Sequence, residues 1–107
     1  MNKKSKFNFE TNKWFTPNTY DNNYKNPPDK SGIYLIVLPK NNFLNYEILY
    51  VESTKNLKVR YARHEVIRLL KEFYGYVQFY FKETENYREI ERKLIKIIQP
   101  RYNKQWR

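Results

Sequence analysis

The segment Gly32-Ile33-Tyr34-Leu35-Ile36-Val37-Leu38 constrains the fold more than any other part of the chain. It is β-branched and apolar without polar alternation, the pattern of a strand buried on both faces. Pro39-Lys40-Asn41-Asn42 reads as a turn, and Tyr46 to Glu52 as a second strand of similar length. So short a connection predicts an antiparallel hairpin. Ser53 or Thr54 can cap a helix running through about Phe73, which Gly75 stops. Tyr76 to Phe81 is a third strand, and Thr84 caps a last helix from about Glu85 to Ile98, ended by Pro100. The order ββαβα describes an α+β domain: a small three-stranded, largely antiparallel sheet flanked by helices.

Before this domain, residues 1–30 are rich in Asn, Lys, Pro and Tyr, lack periodicity and end in Asn26-Pro27-Pro28-Asp29-Lys30. They read as a basic arm whose aromatics, Phe7, Phe9, Trp14, Phe15 and Tyr20, pack onto the domain at 31–107. Twenty-one Lys and Arg face 11 Asp and Glu, a net charge of +10, of which +3 lies in 1–30 and +7 in 31–107. The excess thus belongs to the domain itself and fits a polyanion, nucleic acid above all, although a Lys- and Asn-rich proteome would colour any chain this way. With no cysteine, disulfides, thiolate catalysis and Cys-ligated zinc are excluded. The start of the chain has no apolar stretch for a signal peptide, and Ile33 to Pro39 is too short to span a bilayer. A protein of the cytoplasm without a membrane partner is expected.

The last helix carries the first chemical signal. At roughly 100° per residue, Ile90, Ile97, Leu94, Tyr87, Ile98 and Ile95 share one arc, with Arg88, Arg92, Lys96 and Lys93 opposite. Glu91 falls inside the apolar arc, where a carboxylate is costly unless a cation or donor meets it. An ion pair with a nearby Arg or Lys would do so, and so would a metal. On the first helix, Leu57, Arg60, His64, Arg68 and Lys71 form one stripe, while Val59, Ala62, Val66, Leu69 and Leu70 face the core. The stripe is either a solvated charged face or a phosphate-binding one. Tyr34 shares a strand face with Gly32 and Ile36, and Tyr50 shares one with Ile48 and Glu52. Each tyrosine alone would be ordinary packing.

Together these residues resemble the GIY-YIG nuclease family over Asp29 to Asn103. Gly32-Ile33-Tyr34 matches the first half of the name motif, and Tyr50-Val51-Glu52 stands where the second half belongs. Asn56-Leu57-x-x-Arg60-x-x-x-His64 is similar to the family's first-helix motif. The closing blocks are Glu91-x-x-Leu94-Ile95-Lys96 and Pro100-Arg101-Tyr102-Asn103. The resemblance implies an endonuclease that hydrolyses DNA phosphodiester bonds, with Tyr34 and Tyr50 beside the scissile phosphate and Arg60 contacting it. It implies that His64 assists proton transfer, that Glu91 binds one divalent metal and that Asn103 closes the site. Glu52 departs from the family glycine, adding bulk and negative charge near the phosphate path, unless it points away.

Such chemistry needs a nucleophile, an acid for the leaving oxygen and positive charge at the transition state. Magnesium suits a site with a single carboxylate because it keeps most of its waters, and manganese can replace it. A tyrosine is a poor base at neutral pH unless nearby cations favour its phenolate, which Arg60 and a metal would do for Tyr34. Arg60, Arg68 and Lys71 are the expected DNA contacts. One site cuts one strand, so double-strand cleavage calls for a homodimer or two visits. The alternative, motivated by Glu52, is a catalytically inactive nucleic-acid-binding module of the same fold.

Overall fold

The computed structural model describes residues 27–39, 46–63 and 65–103. Its elements are β1 (Gly32–Pro39), β2 (Tyr46–Thr54), α1 (Leu57–Ala62), α2 (Glu65–Tyr74), β3 (Gln78–Glu83) and α3 (Tyr87–Ile98). They form an α+β unit whose three strands are ordered β2-β1-β3 and pair antiparallel throughout. The apolar segment that dominates the sequence is therefore the central strand. Both its edges are hydrogen-bonded and both its faces covered, so Ile33 to Ile36 are fully buried.

The two faces carry separate cores. Tyr34, Ile36, Phe79 and Phe81 pack with Leu57 of α1 and with Val66 and Leu70 of α2. Ile33, Leu35, Val37, Ile48 and Val51 pack with Leu94 and Ile98 of α3. Strict alternation along β2 would put Tyr50 on the face of Ile48. The register instead shifts, with Ile36 opposite Tyr50 and Val37 opposite Ile48. Leu49 is the extra residue of a β-bulge, and both it and Tyr50 turn toward α1 and α2. The bulge, not simple alternation, brings Tyr50 onto the face of Tyr34.

The expected first helix is two helices, so the element order is ββααβα. β2 runs on to Thr54, and Asn56 caps α1 by accepting from the Val59 N–H at 3.0 Å. At Arg63 the backbone leaves the helical region, with φ −122° and ψ 30°. The cause is packing. Leu57 and the pair Val66 and Leu70 lie roughly 180–220° apart on a straight helix, yet all three are buried. Only a break lets both segments reach the sheet. The single-helix expectation also misplaced Leu57 on a polar stripe; it is buried, while Val59 and Leu69 are exposed and Ala62 is too.

Gly32 has a steric reason. A Cβ there would clash with the Lys82 carbonyl and lie 2.6 Å from Leu57 Cδ1, so α1 packs over β1 only where no side chain intervenes. The chain before β1 completes this corner. Leu57 and Lys58 donate their N–H groups to the carbonyls of Lys30 and Pro28, and Asp29 bonds the Asn56 amide. Residues 28–30 thus belong with the domain, ahead of the composition change at 31. The rest of the proposed arm, residues 1–26, lies outside the described residues, as does most of the expected turn after Pro39.

Gly75 ends α2 in the left-handed region (φ 87°), donating to the Lys71 carbonyl at 2.7 Å. Along α3, Glu91, Leu94 and Ile98 are the buried stripe, while Ile97, expected in the same arc, is exposed. Beyond α3 the chain returns to the outer edge of β2, where Tyr102 donates its N–H to the Leu49 carbonyl at 3.0 Å. Arg101 reaches the buried Glu47 through Nε at 2.9 Å and Nη2 at 3.2 Å. Glu47 in turn holds the Arg101 guanidinium above its ordinary pKa. No helix among the described residues is long and apolar enough to cross a membrane.

Candidate active site

The polar centre of the α1–α2 face is built around Glu52. In the β1–β2 ladder Tyr34 stands directly opposite Glu52, so the two side chains project together. The Tyr34 hydroxyl donates to Glu52 Oε1. Arg60, one turn into α1, donates to the same oxygen from Nε at 3.3 Å and from Nη2 at 3.1 Å. Asn56 and the 28–30 segment fix the start of α1, and thereby where Arg60 stands. The Tyr34 ring is fully buried, stacked on Phe79 at 5.0 Å between centroids and 6.4 Å from the Tyr50 ring. The site is open at its polar end, since the Arg60 and Glu52 side chains keep 35% and 20% of their exposure. Physically this is an anion-binding pair, a phenol and a guanidinium, already holding a carboxylate.

Glu91 lies elsewhere. It is buried on α3, against the other face of the sheet, where its Oε1 accepts from the Ser53 hydroxyl. Ser53 pairs with Ile33 on the rung next to Tyr34–Glu52, so the two polar clusters sit on adjacent rungs and opposite faces. Among the described residues no three His, Cys, Asp or Glu side chains gather as a metal cage. Two oxygen donors, the Glu91 carboxylate and the Ser53 hydroxyl, are the type a hard divalent cation takes.

Asn103, expected to close the site, is buried against β2. Its amide is engaged by the backbone of Val51, accepting from the N–H at 2.9 Å and donating to the carbonyl at 2.7 Å. Arg68 and Lys71 are exposed on α2, Arg68 paired with Glu65 at 3.2 Å. The helix break separates them from Arg60, so the expected continuous basic stripe is interrupted. His64 lies outside the described residues.

No known protein family, curated protein or solved structure matches the chain.

Three participants escaped the sequence reading. Ser53 was a candidate helix cap, and its place as a donor to Glu91 follows only from the extension of β2 to Thr54. Glu47 was not singled out, and Arg101 stood only within the closing block Pro100-Arg101-Tyr102-Asn103. The contact between Tyr34 and Glu52 had a usable signal: once the hairpin is paired so that Gly32 meets Thr54, those two residues must face each other.

Proposed function

We propose that the protein is a metal-dependent endonuclease acting on DNA phosphodiester bonds, of the GIY-YIG type that its motifs resemble. The observation that carries this reading is the convergence of Tyr34 and Arg60 on one anionic oxygen of Glu52. A site that holds a carboxylate with a guanidinium and a phenol has the donors a phosphodiester requires. In the reaction Arg60 would offset the charge growing on the phosphoryl oxygens. The Tyr34 hydroxyl would orient the attacking water, and the buried wall of Tyr50 and Phe79 would hold the phenol in place. Glu91, with Ser53, offers the oxygen donors that would hold magnesium or manganese, on the opposite face of the sheet from Arg60. The net charge of +10 would draw the polyanion in.

A second reading has a specific observation behind it. Glu52 stands where the family has glycine and occupies Arg60, while Glu91 faces the other side of the sheet. A module that binds nucleic acid without cutting it fits those two facts. One assay separates the readings: supercoiled plasmid incubated with the purified protein, with and without magnesium or manganese. Metal-dependent nicking that disappears in Arg60→Ala and Tyr34→Phe supports the nuclease. Salt-sensitive binding with an intact plasmid in every metal supports the binding module.

A further inference from the structure

We propose that Glu52 is a resident anion: it fills the phosphate subsite of Tyr34 and Arg60 and so restricts the site to polynucleotides, excluding inorganic phosphate and single nucleotides. This rests on reading the site as one for phosphodiesters. The first observation is geometric. Both donors of the subsite converge on a single oxygen, Oε1, the arrangement a phosphoryl oxygen would take. The second is the tether. Glu52 is in the hydrogen-bonded part of β2, opposite Tyr34 on the central strand, so its carboxylate is always present at the subsite. A tethered competitor acts at an effective concentration in the millimolar range or above. A lone phosphate, which would bind one arginine weakly, cannot displace it at ordinary concentrations.

A polynucleotide differs because it does not depend on this subsite alone. The cations outside it remain, and each phosphate they neutralise adds counterion release to the binding free energy. That surplus can move Glu52 aside and seat one phosphate on Arg60. The partial exposure of both side chains leaves room for the exchange, since neither is locked in the core. Glycine at this position would give an open subsite that any phosphate could enter. The carboxylate makes occupancy conditional on many simultaneous contacts.

The test uses the full chain and three variants. Glu52→Gln keeps the shape and an acceptor for the Tyr34 hydroxyl without the charge, and Glu52→Gly restores an open subsite by another route. Glu72→Gln removes an exposed carboxylate from α2, giving the same change of net charge outside the subsite. Inorganic phosphate and a mononucleotide are titrated while the Arg60 Nε resonance is followed, and a labelled duplex is titrated by anisotropy. The expected result is no phosphate response in the wild type and at least about tenfold tighter phosphate binding in both Glu52 variants. Glu72→Gln should match the wild type, and all four proteins should bind duplex. A wild type that takes phosphate as readily as Glu52→Gln would overturn the resident anion, as would equal gains in Glu52→Gln and Glu72→Gln. Duplex binding absent from every protein would overturn the polynucleotide reading, while the phosphate arm would still decide whether Glu52 guards the subsite.

Discussion

Asn103 grips the backbone of Val51 on both of its polar atoms, across 52 residues of sequence. β2 is an edge strand, and an edge leaves N–H and C=O groups without a ladder partner. The Asn103 amide supplies both, acting as a one-residue strand. Asn103→Ala would leave two buried backbone groups unsatisfied, at about 1–3 kcal/mol each. The expected outcome is a melting temperature lower by about 10 °C or more. Any nicking activity should persist in the fraction that stays folded well below that temperature. A variant that melts like the wild type but no longer nicks would assign Asn103 to the chemistry instead.

Gly32 makes a sharper demand. Because a Cβ would meet the Lys82 carbonyl, a backbone atom of the neighbouring strand, relaxation cannot be confined to a side chain. Gly32→Ala should therefore destabilise by about 1–3 kcal/mol, the range for overpacking. Pairing it with Leu57→Ala tests the origin, since a smaller residue in α1 would relieve the Leu57 contact but not the carbonyl one. Chemical denaturation should show only partial rescue in the double variant.

The strands and α3 were legible because local patterns decide them: apolar runs bounded by Pro, Asn and Gly, and a helical arc of Tyr87, Ile90, Leu94 and Ile98. The break after α1 was not legible, since no Pro or Gly marks Arg63. It follows from where Leu57, Val66 and Leu70 must go, and that is a property of the assembled sheet. The bulge at Leu49 was hidden for the same reason; period-two alternation has no term for an extra residue. The site was legible in part. Tyr34 and Arg60 meet on Glu52, the Tyr34 and Tyr50 rings lie 6.4 Å apart, and Glu91 is buried as its arc requires. That Glu91 and Tyr34 face opposite sides of the sheet depends on which helix covers which face, which no local pattern specifies.

Salt dependence tests the polyanion partner. The logarithm of duplex affinity should fall linearly with the logarithm of salt concentration, with a slope set by the number of phosphates neutralised. Lys71→Ala should reduce that slope by about one if Lys71 contacts a phosphate. Arg68→Ala should reduce it less, because Glu65 already shares that guanidinium at 3.2 Å. Affinity that stayed flat between low and moderate salt would point to a protein partner.

Glu91 tests the mechanism, because its two roles predict opposite effects on stability. It is a buried carboxylate that accepts from the Ser53 hydroxyl and shares its stripe with Leu94 and Ile98. If its purpose is to hold a divalent metal, the metal-free protein tolerates it at a cost, and Glu91→Ala should leave the melting temperature unchanged or raised. The same variant should lose metal-dependent nicking while keeping duplex affinity. If Glu91 is instead a structural acceptor, Glu91→Ala should strand the Ser53 hydroxyl and open a cavity, lowering stability by about 1–3 kcal/mol. Ser53→Ala separates the two from the other side: it removes the donor, so a structural pair predicts a loss similar to that of Glu91→Ala, and the metal role predicts a smaller one. Adding magnesium completes the comparison. A rise in melting temperature seen in the wild type and absent in Glu91→Ala would place the ion at this carboxylate, as linkage between binding and folding requires. We expect that rise, and nicking that persisted in a folded Glu91→Ala protein would remove Glu91 from the reaction.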